Sequence, residues 1–254
     1  MLTSVIMPAY NAERFIVVAI GSLLQEREKI ALDIIVIDDG STDGTRAIVE
    51  RLALSNAEIR LLQNPRKGIA AARNTGLTNL RESCEFVAFM DADDASVAGR
   101  LARQRTLLCE DLSIDMLYGR VEMFTEFDDS LLRPREGSRT KIIRGPYLQS
   151  AMYRPHVFDK VGRFDESYRQ GCDTDYLLRC LDSGFKLVLD DEVAAYYRRH
   201  NSNVTLNTAE VQREFMRATL KWAARNKLKR GEDLPELYKQ IFLRRDKLEK
   251  GFAE

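Results

Sequence analysis

Apolar residues in the first hundred positions come as short continuous runs separated by stripes with helical spacing. Ser4-Val-Ile-Met7 is an apolar run closed by Pro8, and Asp33-Ile-Ile-Val-Ile37 is a β-branched run ended by Asp38-Asp39-Gly40. Ile59-Arg-Leu-Leu62, turned by Asn64-Pro65, and Phe86-Val-Ala-Phe89 repeat the theme. Short apolar runs bounded by turn signals read as buried strands. Between them, Ala12–Leu24 carries Phe15, Ala19, Ile20, Leu23 and Leu24 at helical spacing. Ile48, Val49 and Leu52 mark a second helix that Thr42 or Asp43 can cap, and Ile69–Leu80 a third.

Strands apolar on both faces, alternating with helices, predict an α/β unit with a mostly parallel central sheet flanked by helices. The middle of the chain is less regular. Met116–Phe127 reads as extended, Asp128–Gly145 as a polar, basic loop, Gln149–Tyr153 as a strand and Arg154–Lys160 as a short helix. Asp173–Ser183 reads as a helix ending at Gly184, and Phe185–Leu189 and Ala194–Tyr197 as two further strands. From Thr208 onward the pattern is helical, broken at Gly231–Pro235. Residues 1–205 are therefore expected to form the main domain and 206–254 a C-terminal helical extension.

Composition narrows the class. The 254 residues carry 39 Lys+Arg against 39 Asp+Glu, so no global charge draws the chain to nucleic acid. No apolar run has the length of a membrane span, and Met1–Pro8 lacks the features of a signal peptide. Cys84, Cys109, Cys172 and Cys180 are scattered without a Cys-x-x-Cys pair. That pattern suits buried thiols in a reducing compartment, and the cytoplasm is the expected location.

The chemistry gathers at strand ends. Ligands of open α/β sheets bind at the carboxyl ends of the strands, which places Pro8-Ala-Tyr10, Asp38-Asp39 and Asp91-Ala-Asp93-Asp94 on one rim. Three acids within four positions repel one another in their ionised forms. A hard divalent cation would relieve that repulsion and could bridge carboxylate to phosphate. The residues alone favour a plainer alternative, a strand leaving the core with Asp93 and Asp94 capping the next helix. No Gly-x-Gly-x-x-Gly follows the first strand and no P-loop is present.

Ser4-Val-Ile-Met-Pro8-Ala-Tyr10-Asn11, Val36-Ile-Asp38-Asp39-Gly40-Ser41-Thr42-Asp43 and Phe89-Met-Asp91-Ala-Asp93-Asp94 resemble, in this order, the signature blocks of family 2 glycosyltransferases with the GT-A fold. The resemblance continues through Val161-Gly-Arg-Phe164-Asp165-Glu166, Asp173-Thr-Asp175 and Tyr197-Arg-Arg-His200, and spans roughly residues 3–205. It implies an inverting, metal-dependent glycosyltransferase that moves a sugar from a nucleoside-diphosphate sugar, a UDP-sugar foremost, to a carbohydrate or lipid-linked acceptor hydroxyl. Surface polysaccharide or glycolipid synthesis is the implied setting. The alternative is a non-catalytic nucleotide-sugar-binding partner in a biosynthetic complex.

The resemblance also assigns roles. Pro8, Tyr10 and Asp39 would hold the nucleotide base, with Asp91 near the ribose. Asp93 and His200 would hold a divalent cation, Mn or Mg, in a DXD-type site. Arg73 could serve the ribose-phosphate region or simply neutralise Asp91, and both readings stand. Arg144-Gly145-Pro146 matches either a loop that lets backbone approach the donor sugar, at Gly145, or an ordinary turn. Asp173 would be the base that takes the acceptor proton, or else a helix cap. The family pair Glu-Asp reads Cys172-Asp173 here, a departure that removes a carboxylate beside the base. The tail pairs apolar residues such as Phe215 and Trp222 with cations such as Arg217, Lys221 and Arg225. Its helices could touch an anionic membrane or pack on the parent domain.

Overall fold

A computed structural model describes residues 1–200, 203, 206–227 and 239–243 of the chain. Strands β1 (Leu2–Ala9), β2 (Ala31–Asp38), β3 (Ile59–Gln63) and β4 (Cys84–Phe89) alternate with helices α1 (Ile16–Leu24), α2 (Thr45–Ser55) and α3 (Ile69–Thr78). These four strands lie parallel in the order β3-β2-β1-β4. Their side chains divide between two cores. Val5 and Met7 pack with α1, while Ile6, on the opposite face, packs with Ala72, Leu77 and Tyr176. This is the two-sided burial that continuous apolar runs predict.

The second half of the chain extends the sheet. After β5 (Ala95–Ser96) and α4 (Arg100–Glu110), strand β6 (Met116–Phe124) leads into a small hairpin, β7 (Phe127–Asp128) with β8 (Arg133–Pro134). Strand β9 (Thr140–Ile143) and a 3-10 turn at Leu148–Ser150 precede β10 (Ala151–Tyr153). Helices α5 (His156–Val161) and α6 (Cys172–Asp182) lead to β11 (Leu187–Arg198). The sheet continues β4-β10-β6-β11-β5, with β10 antiparallel to both β4 and β6.

One edge of β6 is covered by β11. The other is covered by β10 over Met116–Tyr118 and by β9 over Val121–Phe124. The segment between β9 and β10 therefore returns along the sheet toward the carboxyl end of β4.

Several boundaries differ from expectation for local reasons. The first helix begins at Ile16, because Ala12–Phe15 form a turn in which the Phe15 N–H bonds the Ala12 carbonyl at 2.9 Å. Asp43, not Thr42, meets the start of α2: its Oδ1 accepts from the Thr45 N–H at 3.0 Å. The polar segment 128–145 contains the hairpin and β9. The strands expected at Phe185–Leu189 and Ala194–Tyr197 are one strand, Leu187–Arg198, with register shifts around Val193.

Helix α7 (Thr208–Arg225) packs Ala218, Trp222 and the partly buried Phe215 into the same core as α6. No described helix is long and apolar enough to cross a membrane. The expected break at Gly231–Pro235 lies outside the described residues.

Candidate active site

The carboxyl ends of β1, β2 and β4 open into a cavity of about 600 Å³, lined among others by Tyr10, Asp39, Arg73, Asp93, Asp173 and His200. Pro8 and Asp91 also line it, so the structure gathers all but one of the expected site residues around one space.

The first wall comes from the loops after β1 and β2, which are stapled together. Asn11, at φ +48°, accepts from the Thr42 N–H through its Oδ1 at 2.8 Å, and its own N–H donates to Ser41 Oγ at 3.1 Å. Asp38 is buried and accepts from the Ser41 N–H at 2.9 Å, which makes it part of the turn. Asp39 faces the cavity instead. Its carboxylate accepts from the Gly68 N–H (2.9 Å to Oδ2) and from Asn64 Nδ2, which fixes its plane at the start of α3. A carboxylate oxygen has two acceptor sites, so Asp39 can be anchored and still receive a ligand donor. Tyr10, 56% exposed, presents its ring beside it.

The floor is ionic. Arg73, on α3, is 3% exposed; it donates to Asp91 Oδ1 at 3.3 Å and to Cys172 Sγ at 3.1 Å, with Phe164 beneath it. Burial alone would lower its pKa, but the Cys172 sulfur, as a hydrogen-bond acceptor, and the Asp91 and Asp173 carboxylates more than offset that and hold the guanidinium charged. Burial pushes Asp91 up to about 6; Arg73 pulls it back, while Asp93 and Asp173 repel it further. Burial likewise pushes the Cys172 thiol up to about 12 despite Arg73. The residue before Asp173 is thus a neutral thiol that accepts from Arg73. Asp173 follows it in the first turn of α6 and lines the cavity. Asp175, one position beyond Thr174, is buried in an ion pair with Arg179 at 2.9 Å.

Asp93 and His200 meet at the third wall. Asp93 Oδ2 stands 2.9 Å from His200 Nε2. The imidazole lies against the Phe15 ring, with centroids 4.7 Å apart, and the His200 N–H bonds Asn203 Oδ1 at 2.6 Å. Adjacent ligands of an octahedral ion with bonds of about 2.1 Å stand about 3 Å apart, a spacing this pair already has. Among the described residues no group of three or more His, Cys, Asp or Glu could hold a metal by itself. Mg2+-type ions often take one or two protein ligands and complete their shell with substrate phosphates and water, so the residues present fit such an ion.

Asp94 plays a different part. It is 1% exposed and accepts from Gln149 Nε2 and the Arg198 N–H, both at 2.9 Å. Burial, then Asp93 and Asp91, push its pKa well up. It ties the 3-10 turn and the end of β11 to the acidic loop. Arg198 reinforces this, donating from Nε to the Asp93 carbonyl at 3.2 Å with its guanidinium among Phe15, Phe124 and Phe127.

The remaining wall is built from two sides. Gly145 does not line the cavity; Pro146, Tyr147 and Gln149 do. A Cβ at Gly145 would stand 2.7 Å from the Tyr147 ring, so the glycine allows the turn that brings those residues to the wall. From the other side come Arg169, Gln170 and Gly171, with Val211 and Phe215 of α7. Asp165 and Glu166 lie behind this wall. Asp165 bonds the Ser167 N–H (2.9 Å) and Lys221 (3.0 Å), and Glu166 bonds Arg66 (2.7 Å) and Asn74 (2.9 Å). The outlying His156 bonds Asp115 at 2.8 Å, away from the site.

Comparison with known proteins gives the family and the fold. The model of "Glycosyl transferase family 2" matches residues 4–164. The UDP-Glc:alpha-D-GlcNAc-diphosphoundecaprenol beta-1,3-glucosyltransferase WfgD of Escherichia coli is 29% identical over 216 residues, which cover 81% of this chain and 80% of that protein. The minor teichoic acid biosynthesis protein GgaA of Bacillus subtilis is 30% identical over 180 residues, 65% of this chain but only 40% of that protein. Among solved structures, S. aureus TarS 1-349 in complex with UDP-GlcNAc matches with a TM-score of 0.70 at 21% identity, covering 94% of this chain and 69% of that one. The mannosyltransferase PcManGT of Pyrobaculum calidifontis, in complex with GDP-Man and Mn2+, matches at 0.69 and 18% identity, covering 94% and 67%. These two likenesses establish the fold, which is GT-A.

Proposed function

The chain belongs to glycosyl transferase family 2, and we propose that it transfers a sugar with inversion from a UDP-sugar to a hydroxyl of a carbohydrate or lipid-linked acceptor. The observation that carries this reading is the shared cavity, where Tyr10 and Asp39, the Asp93–His200 pair and Asp173 all face one space. Tyr10 offers a stacking face for the base and Asp39 an anchored acceptor for a base N–H. Pro8 shapes the end of β1 beneath them, and Asp91 stands toward the ribose.

Asp93 and His200 would hold a divalent cation, Mn2+ or Mg2+, which when bound neutralises charge on the departing diphosphate. Arg73 keeps a fixed positive charge between Asp91 and the start of α6, limiting the repulsion among Asp91, Asp93 and Asp173. Asp173 takes the proton of the attacking hydroxyl at its carboxylate. The wall of Arg169–Gly171 and α7 faces the acceptor. The relative from Escherichia coli, by its name, acts on a lipid diphosphate. A similar acceptor would bring this protein to a membrane surface from the cytoplasmic side.

The test is a thermal-shift panel of nucleoside diphosphates and nucleotide sugars with and without Mn2+, because ligands that bind the native state raise its apparent stability. UDP and a UDP-sugar are expected to raise Tm with Mn2+ and much less without it. No shift with any nucleotide would overturn the reading. Binding without turnover toward any acceptor would point to a non-catalytic partner instead.

A further inference from the structure

Helix α7 grips the segment before α6 at three places along one of its faces. Lys221 Nζ bonds Asp165 Oδ2 at 3.0 Å. Arg217 donates to the Ser167 carbonyl at 3.1 Å and to its hydroxyl at 2.6 Å. Glu214 accepts from three successive backbone N–H groups, those of Arg169 (2.9 Å), Gln170 (2.6 Å) and Gly171 (2.7 Å). Residues 214, 217 and 221 are spaced as neighbours on one helix face, and the segment 165–171 runs antiparallel beneath them.

The Glu214 contact is unlike the other two. Its residue is 8% exposed, so a carboxylate sits buried with its charge met by main-chain donors. Successive N–H groups converging on one point form an anion-binding nest, and here the protein fills the nest with its own side chain. The fit is close: a Cβ on Gly171 would stand 3.0 Å from Glu214 Cβ and 3.1 Å from the Tyr168 ring. Arg169, Gln170 and Gly171 are themselves cavity wall, and Asp173 follows two residues later. Val211 and Phe215, flanking Glu214 on α7, line the same cavity.

We propose that Glu214 is a positioning residue for sugar transfer, fixing the Arg169–Gly171 backbone so that Asp173 enters the cavity at the height of the acceptor hydroxyl. This rests on the reading of Asp173 as the base. The nucleotide end of the cavity is built from β1, β2 and β4, which Glu214 does not touch. Its loss therefore acts on turnover and spares nucleotide binding. Small displacements of a reacting group cost large factors in rate, whereas the Lys221 contact lies farther from Asp173 in the chain.

The full-length Glu214→Gln protein tests this, with UDP affinity in Mn2+ measured by calorimetry and turnover measured with the donor selected by the thermal-shift panel, expressed per UDP-binding site. Turnover per site is expected to fall at least about 10-fold, with UDP affinity and donor KM close to wild type. Gly171→Ala, whose Cβ would press on Glu214 Cβ at 3.0 Å and on the Tyr168 ring, should give the same split and decides the matter if Glu214→Gln loses UDP binding. Lys221→Met should keep turnover within about 3-fold. Wild-type turnover per site in both Glu214→Gln and Gly171→Ala would overturn the proposal. So would a loss of turnover that merely tracks lost UDP sites, which marks a folding role. Asp173→Asn measured in parallel separates the two readings. Activity there refutes the base, whereas an inactive Asp173→Asn beside fully active Glu214→Gln and Gly171→Ala refutes only the role of Glu214.

Discussion

The Asp93 carboxylate and the His200 imidazole, 107 positions apart in the chain, face each other at 2.9 Å. One comes from the loop after β4 and the other from beyond the end of β11. Asp94 and Arg198 lock those two segments together just behind the pair. The pair is thus held at ligand spacing by a backbone that is itself partly buried and bonded.

Asp93→Ala should abolish the Mn2+-dependent part of the UDP-induced rise in Tm. Asn203 bonds the backbone of His200 and donates from Nδ2 to the Arg198 carbonyl at 3.1 Å. Asn203→Ala should weaken Mn2+ affinity about 10-fold, as loss of a group that orients a metal ligand does. Calorimetric titration of Mn2+ in the presence of UDP reads both. Undiminished Mn2+ dependence in Asp93→Ala would remove that residue from the site.

Cys172 should be chemically silent in the folded protein. Its side chain is fully buried, and burial pushes the thiol up to about 12, so almost none is thiolate at about pH 8. Iodoacetamide followed by mass spectrometry should label the partly buried Cys109 well before Cys172, which reacts only on unfolding. Rapid labelling of Cys172 in native protein would mean that the α6 entry opens.

The tail was less legible than the rim. The strand-end motifs could be read because each is a local block whose meaning depends on few neighbours. Glu214 is a single acid in a charged helix, and only the packing of α7 over residues 165–171 shows that it is buried. From sequence, the cations Arg217, Lys221 and Arg225 allow either membrane contact or packing on the parent domain; in the structure they bond Ser167, Asp165 and Asp182. The long strand β11 looks like two strands in sequence because Asp190-Asp191-Glu192 interrupt its apolar pattern. In the structure Asp190 pairs with Arg103, and Asp191 with Arg120 and Arg144, beside the register shift. Tertiary cations made an acidic stretch compatible with a strand.

The Lys221–Asp165 contact gives a pH signature. Burial would raise the Asp165 pKa, but the Ser167 N–H and hydroxyl and Lys221 outweigh it and hold the carboxyl at about 2, against an ordinary 3.8. A depressed folded pKa adds stability that is complete above the unfolded value and is lost as pH falls through the folded one. The Tm deficit of Lys221→Met should therefore be full at about pH 6 and shrink as pH falls from about 4 toward 2. A deficit that stays constant over that range would show that the pair contributes packing, not charge.

Asp173→Asn tests the account most directly, by comparing UDP affinity in Mn2+ with turnover of the selected UDP-sugar in the same preparation. The substitution keeps size and removes the carboxylate proposed to take the acceptor proton. Turnover should fall by about 100-fold or more, while UDP affinity stays at the wild-type value. Wild-type turnover in Asp173→Asn, with UDP bound normally, would contradict the assignment of the base on which the proposed mechanism depends.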